Sequence, residues 1–132
     1  MSMGKLINRF RPYARILLAI WVVLVIALAI MPDLPVPRIG GKPIPLRLDY
    51  PVHFLEHFLL AFLAMISFVT GQAQKRKIYL VLFALIAFAL IVEIIQVFLP
   101  FRSFELQDLG LNIAGILTGT ITALLSIGGK KD

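Results

Sequence analysis

The stretch Glu93–Gly119, EIIQVFLPFRSFELQDLGLNIAGILTG, sets Glu93, Gln96, Arg102, Asp108 and Asn112 inside or against strongly apolar sequence. Glu93 and Gln96 are three apart and share one face of a helix. Asp108, Asn112, Gly115 and Gly119 follow at spacings of four, three and four, which makes one helical stripe of acid, amide and bare backbone. A carboxylate deep in hydrocarbon costs at least about 2.5–3.5 kcal/mol on insertion scales, so these groups are expected to face a partner or a watery cavity rather than lipid.

The surrounding composition explains why hydrocarbon is the relevant solvent. Of 132 residues 60% are apolar, against roughly 45–50% in soluble domains, and the mean hydropathy is +0.95. The chain reads as a single all-α polytopic membrane domain spanning 1–132. It contains no cysteine, which excludes disulfides and thiol chemistry. The net charge of +6 comes from basic residues clustered beside apolar runs, without the aromatic-interleaved basic surface of a nucleic-acid binder. No phosphate-binding glycine loop and no Ser-His-Asp series is visible.

Working outward, apolar runs and their breakers predict four transmembrane helices at about 13–31, 52–70, 78–99 and 107–127. Pro12 is expected to start the first and Pro32 to stop it; Ala27-Leu28-Ala29 offers a competing reading as a signal-peptide cleavage site, but the apolar run continues past it. The segment from Pro32 to Pro51 holds six of the eight prolines and reads as an extended loop at the membrane surface. Short connections make an up-and-down four-helix bundle the expected architecture. Lys5, Arg9, Arg11, Arg15, Lys75, Arg76, Lys77, Lys130 and Lys131 fall on one side, and Arg38, Lys42, Arg47 and Arg102 on the other. Nine charges against four place both termini in the cytoplasm. His53, Glu56, His57, Glu93, Gln96, Asp108 and Asn112 then share the outer end, with Glu93 about 10 Å below Pro100.

The motifs DYPVHFLEHF (Asp49–Phe58), EIIQ (Glu93–Gln96), Pro100 with Arg102, and DLGLNIAG (Asp108–Gly115) together resemble the VanZ-like family of small bacterial membrane proteins. The family's usual Lys after the Asp, Tyr in the helix and Gly before the Arg are replaced here by Tyr50, His57 and Phe101. The resemblance implies a multi-span protein of the bacterial cytoplasmic membrane, belonging to a cell-envelope family named for an accessory factor in glycopeptide antibiotic resistance.

Two readings of the polar set follow. In one, Asp49, His53, Glu93, Gln96, Arg102, Asp108 and Asn112 bind the head group of a membrane lipid or a lipid-linked or cell-wall-derived ligand. Arg102 contacts an anion, Glu93 and Asp108 hold Arg102 and His53, and Gln96 and Asn112 orient the head group. In the other, the same groups are a buried network that fixes helix register. His53-x-x-Glu56-His57 also matches the H-x-x-E-H zinc pattern, with Glu56 as general base and Glu93 or Asp108 as a third ligand. Only three positions of that pattern are fixed, so no metal or other cofactor is assigned, and binding is preferred to catalysis. Gly115 and Gly119 are read as a within-bundle packing stripe. Neither the ligand nor the oligomeric state follows from the sequence.

Overall fold

The computed structural model describes residues 3–32, 38–40, 42–43, 49–70 and 74–128. Among them are four helices, α1 (Met3–Ile30), α2 (Asp49–Phe68), α3 (Gln74–Val97) and α4 (Leu106–Gly128). All four are long and apolar enough to cross a bilayer. A rung of antiparallel ribbon, β1 (Arg38–Ile39) with β2 (Lys42–Pro43), lies between α1 and α2, with Gly40 at φ 60° in its turn. The rest of the proline-rich connection, and the C-terminal lysines, lie outside the described residues.

Several boundaries differ from the sequence reading, including the start of α3 at Gln74 rather than Ile78, and three of the shifts have a clear physical reason. Helix α1 begins near Met3 and carries Pro12 in its interior, at the loss of the hydrogen bond that Pro cannot donate. Continuing the helix places Ile7, Arg11, Ala14, Leu18 and Trp21 on one face. From that face Arg11 Nε donates to Ile66 O at 3.0 Å and Arg15 reaches Ser67 O at 3.4 Å. Helix α2 starts at Asp49 because Pro51 falls in the first turn, where its missing N–H has no partner to lose. Helix α3 ends at Val97 rather than Leu99. Ahead of Pro100 the last turn tightens, with Phe98 N–H on Ile95 O at 3.1 Å and Leu99 N–H on Gln96 O at 3.0 Å.

The helices run up and down. Arg11 and Arg15 near the start of α1, and Lys77 near the start of α3, all reach carbonyls at the C-terminal end of α2, the Lys77 Nζ to Thr70 O distance being 2.5 Å. The opposite end gathers the finish of α1 and α3 with the start of α2 and α4. Helices α2 and α4 form the closest pair. A Cβ on Gly115 would lie 2.4 Å from Phe54 O, and one on Gly119 would lie 2.3 Å from Phe58 O, so only glycine permits this approach. Leu60, Ala61, Ala64, Met65, Ile116 and Ala123 fill the contact, and Ala14 of α1 with Leu85 and Ala89 of α3 complete the core. Phe83, Phe98, Tyr79, Leu106 and Leu125 are among many large apolar side chains left exposed, which suits lipid and would be untenable in water. The chain is a multi-pass membrane protein.

Candidate functional site

The end of the bundle where α2 and α4 begin collects the polar side chains. On α2, His53, Glu56 and His57 fall at i, i+3 and i+4, so one face of the helix carries all three. On α4, Asp108, Asn112 and Gly115 form a matching stripe, and on α3 Glu93 and Gln96 lie one turn apart. Glu56, His57, Glu93, Gln96, Asp108 and Asn112 are all buried. At 1.5 Å per residue, His57 and Asn112 lie about 10 Å inside the starts of their helices, within the hydrocarbon.

Two contacts join the helices here, and a third fixes a ring on its own helix. Asn112 Nδ2 donates to Glu93 Oε1 at 2.8 Å, joining α4 to α3, and both side chains are 99–100% buried. His53 Nε2 stands 3.7 Å from Asp108 Oδ2 across the α2–α4 seam, and these two side chains keep 13% and 12% of their surface open. His57 Nδ1 lies 3.1 Å from the His53 carbonyl, so the ring is tethered to its own helix. Its Cβ is 3.2 Å from the position a Cβ would take on Gly115, one turn below Asn112.

Arg102 and Gln96 serve a different boundary. Arg102 Nη2 donates to Met31 O at 3.0 Å and Leu28 O at 3.2 Å, and its Nε donates to Met31 O at 3.3 Å. Gln96 Nε2 donates to Ala29 O at 3.2 Å. Both side chains thus satisfy the terminal carbonyls of α1, where a cation also complements the helix dipole. The described hydrogen bonds of Arg102 go to α1 rather than to Glu93 or Asp108, the partners expected from the sequence. The guanidinium lies within Coulombic reach of Glu56 and Glu93 but its fork is turned toward α1. The open carbonyls of a helix terminus in hydrocarbon are the stronger claim on a five-donor side chain. Asp49 is half-buried in the first turn of α2, beside the Tyr50 hydroxyl, which donates to Gln107 Oε1.

The H-x-x-E-H spacing puts His53, Glu56 and His57 on one face of α2. Among the described residues no three His, Asp or Glu side chains stand together in a way that could hold an ion. One imidazole is tied to backbone and the other faces Asp108. Two contacts lay outside the sequence reading. Trp21 Nε1 donates to Glu56 O at 2.9 Å, joining α1 to α2. An indole N–H inside an apolar helix needs an acceptor, and that need was the available signal. The Tyr50 to Gln107 contact had no comparable signal, because its partners are 57 residues apart.

Fold and site together define a multi-pass helical membrane protein with a buried cluster of acids, amides and imidazoles at one end. Within that class the chain belongs to the VanZ/LLP1 family, which it matches over residues 44–127, the part carrying α2, α3 and α4 with every clustered polar residue. No curated protein and no solved structure matches the chain.

Proposed function

We propose that the protein binds an amphipathic ligand from within the bilayer, with the ligand's head group held by the polar cluster. One observation carries this reading. Glu56 Oε1, His57 Nε2, Glu93 Oε2 and Asn112 Oδ1 are buried and have no hydrogen-bond partner. Each unsatisfied group of this kind costs about 1–3 kcal/mol, more if charged. A cluster serving only as packing glue gains by closing its own hydrogen bonds, so orphaned atoms from three helices favour a site that completes them with a ligand.

In this reading His53 and Asp108 form the rim, and His57, Glu93 and Asn112 line the floor. Arg102 and Gln96 hold the end of α1 against α3 and so keep the site walled. The protein acts as a binding factor rather than an enzyme. The excess of basic residues at the other end supports placing both termini in the cytoplasm, which turns the site toward the outer face of a bacterial cytoplasmic membrane. Family membership makes a cell-envelope role the natural setting, with sensitivity to a glycopeptide antibiotic as the phenotype to score.

The test is native mass spectrometry of the full chain in mild detergent. Wild type is expected to retain a specific lipid, and Glu93→Gln and Asn112→Ala to lose it while keeping wild-type helicity. Equal retention in all three proteins, or none in any, would leave the cluster as packing glue and refute the proposal.

A further inference from the structure

The orphaned atoms of the floor are of one chemical kind, and the buried hydroxyls of Ser67 and Thr120 that also lack a described partner lie away from it. The Glu93 carboxylate, in the ionised state that a bound cation favours, accepts. Asn112 spends its Nδ2 on the Glu93 carboxyl at 2.8 Å, and turning the amide over would set oxygen against oxygen, so the atom left over is the acceptor Oδ1. His57 Nδ1 faces a backbone carbonyl at 3.1 Å, which can only accept, so Nδ1 carries the proton and a neutral ring leaves Nε2 as a bare acceptor. The cluster is therefore rich in acceptors and lacks a matching donor. Three of the atoms belong to one place: Glu93 and Asn112 are bonded, and His57 packs against Gly115 one turn from Asn112. Every acidic residue among those described, Asp49, Glu56, Glu93, Glu105 and Asp108, belongs to this end of the bundle. The partly open His53 and Asp108 pair, 3.7 Å apart, stands one turn above His57 and Asn112 as the way in.

We propose that the head group taken by this site is a primary ammonium, R–NH3+, supplying one N–H donor each to His57, Glu93 and Asn112 and one positive charge beside Glu93. The inference rests on the binding reading above and names its ligand class. It departs from recognition of an anion by Arg102, whose described hydrogen bonds serve α1. An ammonium suits the cluster better than a metal ion. It can use an amide oxygen and an imidazole nitrogen beside a single carboxylate through N–H contacts of about 2.8 Å, whereas no group of three His, Asp or Glu stands together for a metal ion among the described residues.

The experiment presents the purified full chain with phospholipids of identical acyl chains whose head groups are ethanolamine, its trimethylated analogue choline, or glycerol, and reads retention by native mass spectrometry. Choline keeps the charge but has no N–H donor, so the comparison needs no variant. Ethanolamine lipid is expected to be retained at least tenfold over choline lipid, equivalent to about 1.4 kcal/mol. That preference is expected to collapse in Glu93→Gln, whose amide brings a donor of its own, and in Asn112→Ala, which removes an acceptor. Competition by free ethanolamine would support the ammonium site and assign a soluble amine as its source, while resistance to it would support an aminolipid. Equal retention of ethanolamine and choline lipids, or preference for glycerol, would overturn the ammonium. If the retained lipid were still lost in Glu93→Gln, the binding reading would survive that result. Retention insensitive to every head group and both substitutions would remove the binding reading as well.

Discussion

Placing a methyl group on Gly119 tests the seam on which the site is built. The new Cβ would lie 2.3 Å from Phe58 O and 3.1 Å from its Cα, whereas ordinary contact begins near 3.4 Å, and the obstructing atoms are backbone. Helices α2 and α4 must therefore part by about 1 Å, a gap that forfeits a quarter to a half of the dispersion energy of the atoms it separates. Overpacking of this kind costs about 1–3 kcal/mol. Ala also raises helix propensity by about 1 kcal/mol, which partly masks the loss. Gly110→Ala removes that ambiguity, because its Cβ meets nothing within 4 Å and the substitution gains propensity alone. Gly119→Ala is thus expected to be about 1–3 kcal/mol less stable than Gly110→Ala. Gly115→Ala should behave similarly, since its Cβ would meet Phe54 O at 2.4 Å and Phe58 N at 2.9 Å. The double variant should cost less than the sum, because one separation accommodates both methyl groups. The assay is unfolding by SDS in mild detergent, followed by circular dichroism and by fluorescence of the single tryptophan, Trp21, whose indole bonds to α2. If Gly119→Ala proves as stable as Gly110→Ala within about 0.5 kcal/mol, the close approach of α2 and α4 is refuted.

Further outcomes follow from the same contacts. Arg102→Ala is expected to lower stability by about 1.5–3 kcal/mol and to raise amide exchange in the last turn of α1, since it strips the carbonyls of Leu28 and Met31; Arg102→Lys should recover only part, lacking the fork. Asn112→Leu leaves the buried Glu93 without its donor and should cost about 1–3 kcal/mol, whereas the additional change Glu93→Leu should recover much of the loss, read in the same unfolding assay. Trp21→Phe keeps the ring and deletes the bond to Glu56 O, for an expected loss of about 0.5–1.5 kcal/mol. Green fluorescent protein fused to the C-terminus should fluoresce in cells, as a cytoplasmic terminus requires; a dark fusion at normal abundance would invert the proposed orientation.

The spans were legible because bilayer thickness imposes a length that apolar runs such as Ile78–Leu99 announce directly. Their ends were less so, since Pro12 reads as a start by local rule while Arg11 and Arg15 hold the helix through it by reaching Ile66 and Ser67, 55 and 52 residues away. The cluster's membership was also legible: an acid or amide in an apolar helix is conspicuous, and the spacing of Asp108, Asn112 and Gly115 fixed a shared face. Pairing was not. Glu93 selects Asn112, while Arg102 is drawn to the carbonyls at the end of α1, and sequence carries no mark for a helix terminus as a competitor for a guanidinium. Sequence rules price side chains against side chains, whereas in hydrocarbon the unsatisfied backbone bids equally.

That competition also explains how the two ends of one small bundle come to differ. At the end holding the start of α1, Arg11, Arg15 and Lys77 spend their donors on the terminal carbonyls of α2 and on Thr70, so helix-end polarity there is neutralised by basic side chains. At the opposite end Arg102 does the same for α1, and the buried oxygens Glu56 Oε1 and Glu93 Oε2 have no hydrogen-bond partner among the described residues. A bundle built only for stability would close Glu56 and Glu93 with a second arginine or replace them with leucine, since well-packed apolar residues commonly equal or exceed buried charges in stability. The glycine seam presses in the other direction. By bringing α2 and α4 to backbone contact at Phe54 and Phe58, it stiffens the wall directly beneath His57 and Asn112 and holds their unsatisfied atoms in place against relaxation. Close packing below and unmet acceptors above are one arrangement, in which the rigid seam maintains the polarity that a ligand's donors complete.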